Sequence, residues 1–89
     1  MNTIWKHTLR VNDSQTVLMP RGAQILCARE QHGDACLWFM CASSAPKVRR
    51  RIMMLATGHP VPDQYGVYID TVHLDECSAV FHVFDGGEL

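Results

Sequence analysis

The chain has no excess of either charge. Eight lysines and arginines stand against nine aspartates and glutamates over 89 residues, a formal net charge of −1. Such a balance gives no global attraction to nucleic acid or to an anionic membrane, so binding of that kind would need a local patch. Long apolar runs are also missing. The longest, such as Cys36–Ala42, fall far short of the ~20 residues that a membrane-spanning helix needs. The opening stretch MNTIWKHTLRV has no basic region followed by an apolar one. No secretory leader and no membrane partner are therefore expected, and the expected location is the cytoplasm.

Motifs for metal or covalent chemistry are missing too. The four cysteines, Cys27, Cys36, Cys41 and Cys77, form no Cys-x-x-Cys pair. They read as reduced thiols that pack as small hydrophobes. The five histidines, His7, His32, His59, His73 and His82, show no His-x-His or His-Glu-x-x-His spacing, so no metal site is expected. No serine lies in a Gly-x-Ser-x-Gly context. Cys77 follows Asp75 and Glu76, whose carboxylates disfavour a thiolate. No nucleophile has an adjacent base and no two carboxylates share a matched context. The sequence therefore predicts no catalytic residues, no cofactor and no enzyme.

What is present is a globular composition, 47% hydrophobic and 19% charged, which excludes a disordered tail. The length fits one domain, 1–89. A domain of this size buries only roughly 60–65% of its unfolded surface, so its core is thin.

Hydrophobic residues recur with a period of two almost everywhere. Across Thr3–Val11, Trp5, His7, Leu9 and Val11 alternate with Lys6, Thr8 and Arg10, the pattern of a half-buried strand. TVLMP is a short strand stopped by Pro20. A two-residue turn at His32-Gly33 joins AQILCARE to ACLWFMCA as a hairpin. Its expected register sets Ile25 opposite Met40, Cys27 opposite Trp38 and Arg29 opposite Cys36, with both faces apolar. A strand pair apolar on both sides is central in a closed or layered structure, or is covered by another subunit. VRRRIMMLA reads as a strand with a basic first half, and VYIDTVHL and SAVFHVFD as a last hairpin, with GGEL as a short tail. The prediction is an all-β single domain of about seven short strands in antiparallel hairpins, a sandwich or a partly open barrel.

Two features are candidate binding sites. Arg49, Arg50 and Arg51 open one strand, and alternation sends Arg50 to the face opposite Arg49 and Arg51. They either blunt a sheet edge or contact a protein or an anion. Beyond that strand lies the irregular stretch TGHPVPDQYG. Pro60 and Pro62 stiffen it and Gly58 can take a positive φ. Thr57, Gly58, His59 and Pro60 are therefore an ordered loop, either a site or a connection. The arginines and the loop lie roughly 25 Å apart along the strand, at ~3.3 Å per residue. One site can use both only across a subunit interface.

The first half of the chain carries Ile4-Trp5-Lys6, Met19-Pro20-Arg21-Gly22-Ala23-Gln24-Ile25-Leu26, Gln31-His32-Gly33 and Leu37-Trp38. The second half carries Thr57-Gly58-His59-Pro60-Val61, Tyr68-Ile69-Asp70-Thr71 and Val80-Phe81-His82-Val83-Phe84. In these stretches the chain resembles an uncharacterised family of small phage and prophage proteins. The resemblance spans nearly the whole chain. It departs before Thr57, where the family more usually has glycine, and at Asp75-Glu76-Cys77-Ser78-Ala79, where a Gly-rich turn is common. The resemblance implies phage or prophage origin, a bacterial host cytoplasm and an accessory role such as inhibition of host defence. It supplies no assigned function.

The expectation is thus a non-enzymatic binding protein, a homodimer or larger, that holds a host protein. One alternative is an oligomeric sponge in which Arg49–Arg51 of one copy and Thr57–His59 of another clamp a small signalling nucleotide. Another is a minor virion protein.

Overall fold

The computed structural model describes residues 2–76 and 78–89. Its elements are β1 (Asn2–Thr8), β2 (Ser14–Pro20), β3 (Gln24–Gln31), β4 (Asp34–Ala42), β5 (Lys47–Ala56), β6 (Val67–Leu74) and β7 (Ala79–Glu88). No helix lies among the described residues, so none there is long and apolar enough to cross a membrane. Sheet A has the order β1-β4-β3 and sheet B the order β2-β5-β7-β6, all pairs antiparallel. The two sheets pack face to face as an open sandwich, the all-β architecture that the period of two predicts.

The inner faces follow the alternation of each strand. Leu37, Phe39 and Cys41 from β4 meet Val17 and Met19 from β2, Ile52 and Met54 from β5, Val72 and Leu74 from β6, and Val83 from β7. Each such apolar side chain contributes about 1.5–3 kcal/mol when fully buried. Trp5 packs edge-on against Phe39 at the rim of this core, with 6.4 Å between ring centroids. Cys36 and Cys41 are buried free thiols and Cys27 is a half-buried one, as packing cysteines should be. Cys77 lies outside the described residues.

The β3–β4 hairpin turns at His32 (φ 54°) and Gly33 (φ 88°), the left-handed pair that a two-residue turn requires. Arg29 pairs with Cys36 and Cys27 with Trp38, as expected. The expected pairing of Ile25 with Met40 does not occur. Ile25 pairs with Phe39, because a bulge lies between Ile25 and Cys27. The extra residue flips the strand's alternation. Ile25 turns towards the core, and Leu26 is left exposed.

Two further boundaries differ from the sequence reading. The first strand ends at Thr8 rather than Val11. The expected tail GGEL is mostly strand: β7 runs to Glu88, and Gly87 and Glu88 pair with Arg51 and Arg50. Gly86 sits at a second bulge, where a Cβ would come within 3.0 Å of the Arg51 Cβ. A glycine-filled bulge looks like a tail in sequence because it has no side chain to show periodicity.

The loop 57–66 folds back onto the outer face of sheet B. Met53 and Leu55 point away from the core yet are buried. Tyr65 lies edge-on to Phe84, the residue paired with Met53, at 5.5 Å between ring centroids. Gly66 closes the loop at φ 82°, where any Cβ would overlap the Asp85 carbonyl oxygen.

Candidate functional site

The three arginines diverge. Arg49 is exposed, and its backbone carbonyl accepts the Leu89 N–H at 2.8 Å. Arg51, on the same outer face, donates from Nε to Ser14 Oγ at 3.2 Å. Arg50 points inward. Its Nε and Nη2 grip both oxygens of Asp85 at 2.9 and 2.6 Å, and its Nη1 donates to the Ala23 carbonyl at 2.9 Å. The hydrogen bond to Asp85 raises the Arg50 pKa above its ordinary value. Burial pushes the Asp85 carboxyl up, but the guanidinium and the Gly87 N–H outweigh it and hold that carboxyl below its ordinary range. Arg50 is thus a tie between β5, β7 and the start of β3.

The Thr57–Pro60 stretch lies past the far end of β5 from these arginines. The His59 N–H donates to the Ala56 carbonyl at 3.1 Å, closing a turn in which Gly58 takes φ 89°. The His59 imidazole is exposed and makes no hydrogen bond among the described residues. Pro60 is exposed as well. Thr57 is tied down: its hydroxyl meets His82 Nε2 at 2.9 Å, and His82 Nδ1 meets the Thr71 hydroxyl at 3.1 Å. The Tyr68 hydroxyl completes the chain at 2.7 Å from Thr71. His82 therefore clips the loop's start to β6. Within one chain the arginines and the loop form no common site. Among the described residues, no three His, Cys, Asp or Glu side chains gather as metal ligands.

A different surface stands out. The outer face of sheet A, away from the core, runs in rows across its three strands. Ile4, Met40 and Gln24 form one row; Lys6, Trp38 and Cys27 the next; Thr8, Cys36 and Arg29 the third. Ile4 is 57% exposed and the bulged Leu26 44%, while Trp38, Met40 and Cys27 are half-buried between them. A shallow hollow of about 370 Å³ lies among Ile4, Leu26, Cys27, Trp38 and Arg29. The apolar second face of this hairpin was visible in the sequence. The bulge that turns Leu26 onto it was not, since nothing in QILCARE marks an extra residue.

A second hollow, about 510 Å³, opens where β3 and β6 part. Its floor is the Arg50–Asp85 pair, and Ile25, Leu26, Val67 and Tyr68 are among its walls. Lower down, Asp70 bridges the two strands: it accepts the Ala28 N–H at 3.3 Å and Arg29 Nε at 3.2 Å. Burial works against the charged form of Asp70, but these donors and the Thr71 N–H hold its pKa below the ordinary value. With Asp85 neutralising Arg50, and Glu88 Oε2 at 4.0 Å from its Nη1, this hollow has little to offer an anion.

No curated protein and no solved structure matches the chain. One family does, over residues 1–88, and on that match the chain belongs to the family described as Domain of unknown function (DUF7352).

Proposed function

We propose that this chain is a phage or prophage accessory protein that acts by binding, and that it holds a host protein through the outer face of sheet A without catalysing a reaction. The observation that carries this is the apolar character of a face the core does not use. An antiparallel sheet with one face on the core normally turns a polar face to water. Sheet A instead presents Ile4, Leu26, Cys27, Trp38 and Met40 there. A contiguous exposed apolar patch on a small domain marks an interaction site. Tryptophan and flanking aliphatic residues are the side chains that dominate interface energetics. The phage origin and a role against host defence rest on the sequence resemblance.

The nucleotide-sponge reading draws less support. Of the three arginines it would use, Arg50 has its fork engaged by Asp85, which leaves only Arg49 and Arg51 to face an anion.

The test is affinity capture from host lysate by the wild-type chain, by Leu26→Asp, and by Arg49→Glu/Arg51→Glu, each first checked for cooperative unfolding. The proposal expects a retained host protein that Leu26→Asp loses and the arginine variant keeps. Equal retention by Leu26→Asp, or loss with the arginine variant alone, would overturn it.

A further inference from the structure

We infer that the partner segment seated on sheet A is an acidic one: an apolar side chain next to a carboxylate, the apolar group in the hollow beside Trp38 and the carboxylate on Arg29 and Lys6. This rests on the reading of sheet A as the contact face and adds the chemistry of what it contacts.

The charge pattern of the face carries the inference. From the Ile4 row to the Thr8 row it holds two cations, Lys6 and Arg29, and no carboxylate. Asp34 comes only at the β3–β4 turn, opposite Gln31. Lys6 Nζ donates to Gln31 Oε1 at 2.7 Å, a neutral partner, and among the described residues no carboxylate lies within 4.0 Å of it. Arg29 uses Nε alone on Asp70, and its side chain is 69% exposed. Both terminal nitrogens of its guanidinium stay open, in the forked geometry that matches a carboxylate. Arg29 also lies on the rim of the 370 Å³ hollow. One ligand segment can therefore fill the hollow and reach the guanidinium together.

The same pattern disfavours a second copy of this chain on this face. Two sheets docked about a two-fold axis along β4 would set Lys6 of one copy against Cys27 of the other, and Arg29 against Thr8. Docked about an axis across the strands at the middle row, Lys6 would meet its own copy. Either arrangement buries the Lys6 ammonium without a carboxylate, which is costly. A single nucleic-acid strand would also suit cations around an indole. Against it stands the rest of the face, aliphatic and thiol groups that give a base no second stacking platform.

The experiment is selection of a displayed random 12-residue peptide library on immobilised wild-type chain, on Lys6→Gln/Arg29→Gln, and on Leu26→Asp. Two controls accompany it: dT12 oligonucleotide binding by anisotropy, and sedimentation of the free chain. The expected result is enrichment of peptides with Leu, Phe or Trp next to Asp or Glu. A representative enriched peptide should bind the cation-free variant at least tenfold more weakly, and added salt should weaken its binding to wild type. A consensus without acids, or one unchanged on Lys6→Gln/Arg29→Gln, would overturn the acidic-partner inference and leave the contact face standing. Enrichment that persists on Leu26→Asp would overturn the contact face itself. Binding of dT12 tighter than the best peptide would overturn the inference in favour of nucleic acid. A dimer that Leu26→Asp dissolves would overturn it in favour of self-association.

Discussion

Replacing Arg50 by methionine keeps most of its aliphatic volume and removes its fork. Asp85 then keeps the Gly87 N–H at 2.8 Å but loses both guanidinium bonds. The two side chains are 12% and 19% exposed, so the pair is close to buried. Removing one partner of a buried pair costs about 3–5 kcal/mol, chiefly because the other charge is left uncompensated. The remaining exposure puts Arg50→Met at the low end, about 3 kcal/mol. For a domain of this size that is a drop in Tm of about 12–24 °C. Arg50→Met/Asp85→Leu leaves no orphan charge and should cost less than either single change, a coupling of at least about 2 kcal/mol. Denaturant unfolding reads this as a shift in midpoint at constant m. The pH dependence follows from the depressed Asp85 pKa. The pair contributes fully above the unfolded carboxyl value of 3.8 and is lost as pH falls through the lower folded value. The gap between wild type and Arg50→Met should therefore be wide at pH 7 and close in strong acid. A loss under about 0.5 kcal/mol at pH 7, or additive single and double losses, would refute the reasoning and return Arg50 to the pool of ligand-binding candidates.

Three other outcomes are expected. Gly66→Ala should cost at least about 2 kcal/mol by thermal unfolding, from the positive φ and the overlap with the Asp85 carbonyl. His82→Phe, which removes the link between Thr57 and Thr71, should cost about 1–2 kcal/mol. It should also speed hydrogen exchange at the Thr57 amide, whose bond to the Val80 carbonyl lies beside it. His7 is held below its ordinary pKa of 6.5 by burial and by Arg10. The unfolded chain therefore binds a proton first, and stability falls as pH drops below about 6.5. In thermal melts at pH 7.5 and 5.5, His7→Gln should lose less stability than wild type over that interval.

The strands of this fold were legible because alternation needs no tertiary information. Leu37, Phe39 and Cys41 face one way and Trp38 and Met40 the other whatever they pack against. The His32-Gly33 turn was legible for a similar reason: a two-residue hairpin demands left-handed residues, and glycine supplies one. The bulges at Leu26 and Gly86 were not, because one extra residue in a ladder leaves no mark on a single strand. They decided the outcome at both places, turning Leu26 outward and making a strand of the expected tail. The role of Arg50 within the arginine run was hidden for a physical reason. Arg50 is satisfied by Asp85, 35 positions away, and only the pairing of β5 with β7 brings the two together. The loop looked chemical because of His59, whereas the histidine that does structural work there is His82, on another strand.

The contact face can be tested most directly by hydrogen–deuterium exchange on the captured complex. Binding through the outer face of sheet A predicts new protection in peptides covering Ile4–Lys6 and Leu26–Arg29 at the strand edges, with the 57–66 loop and Arg49–Arg51 unchanged. Protection confined to that loop or to the arginines, with both sheet A edges unaffected, would contradict it.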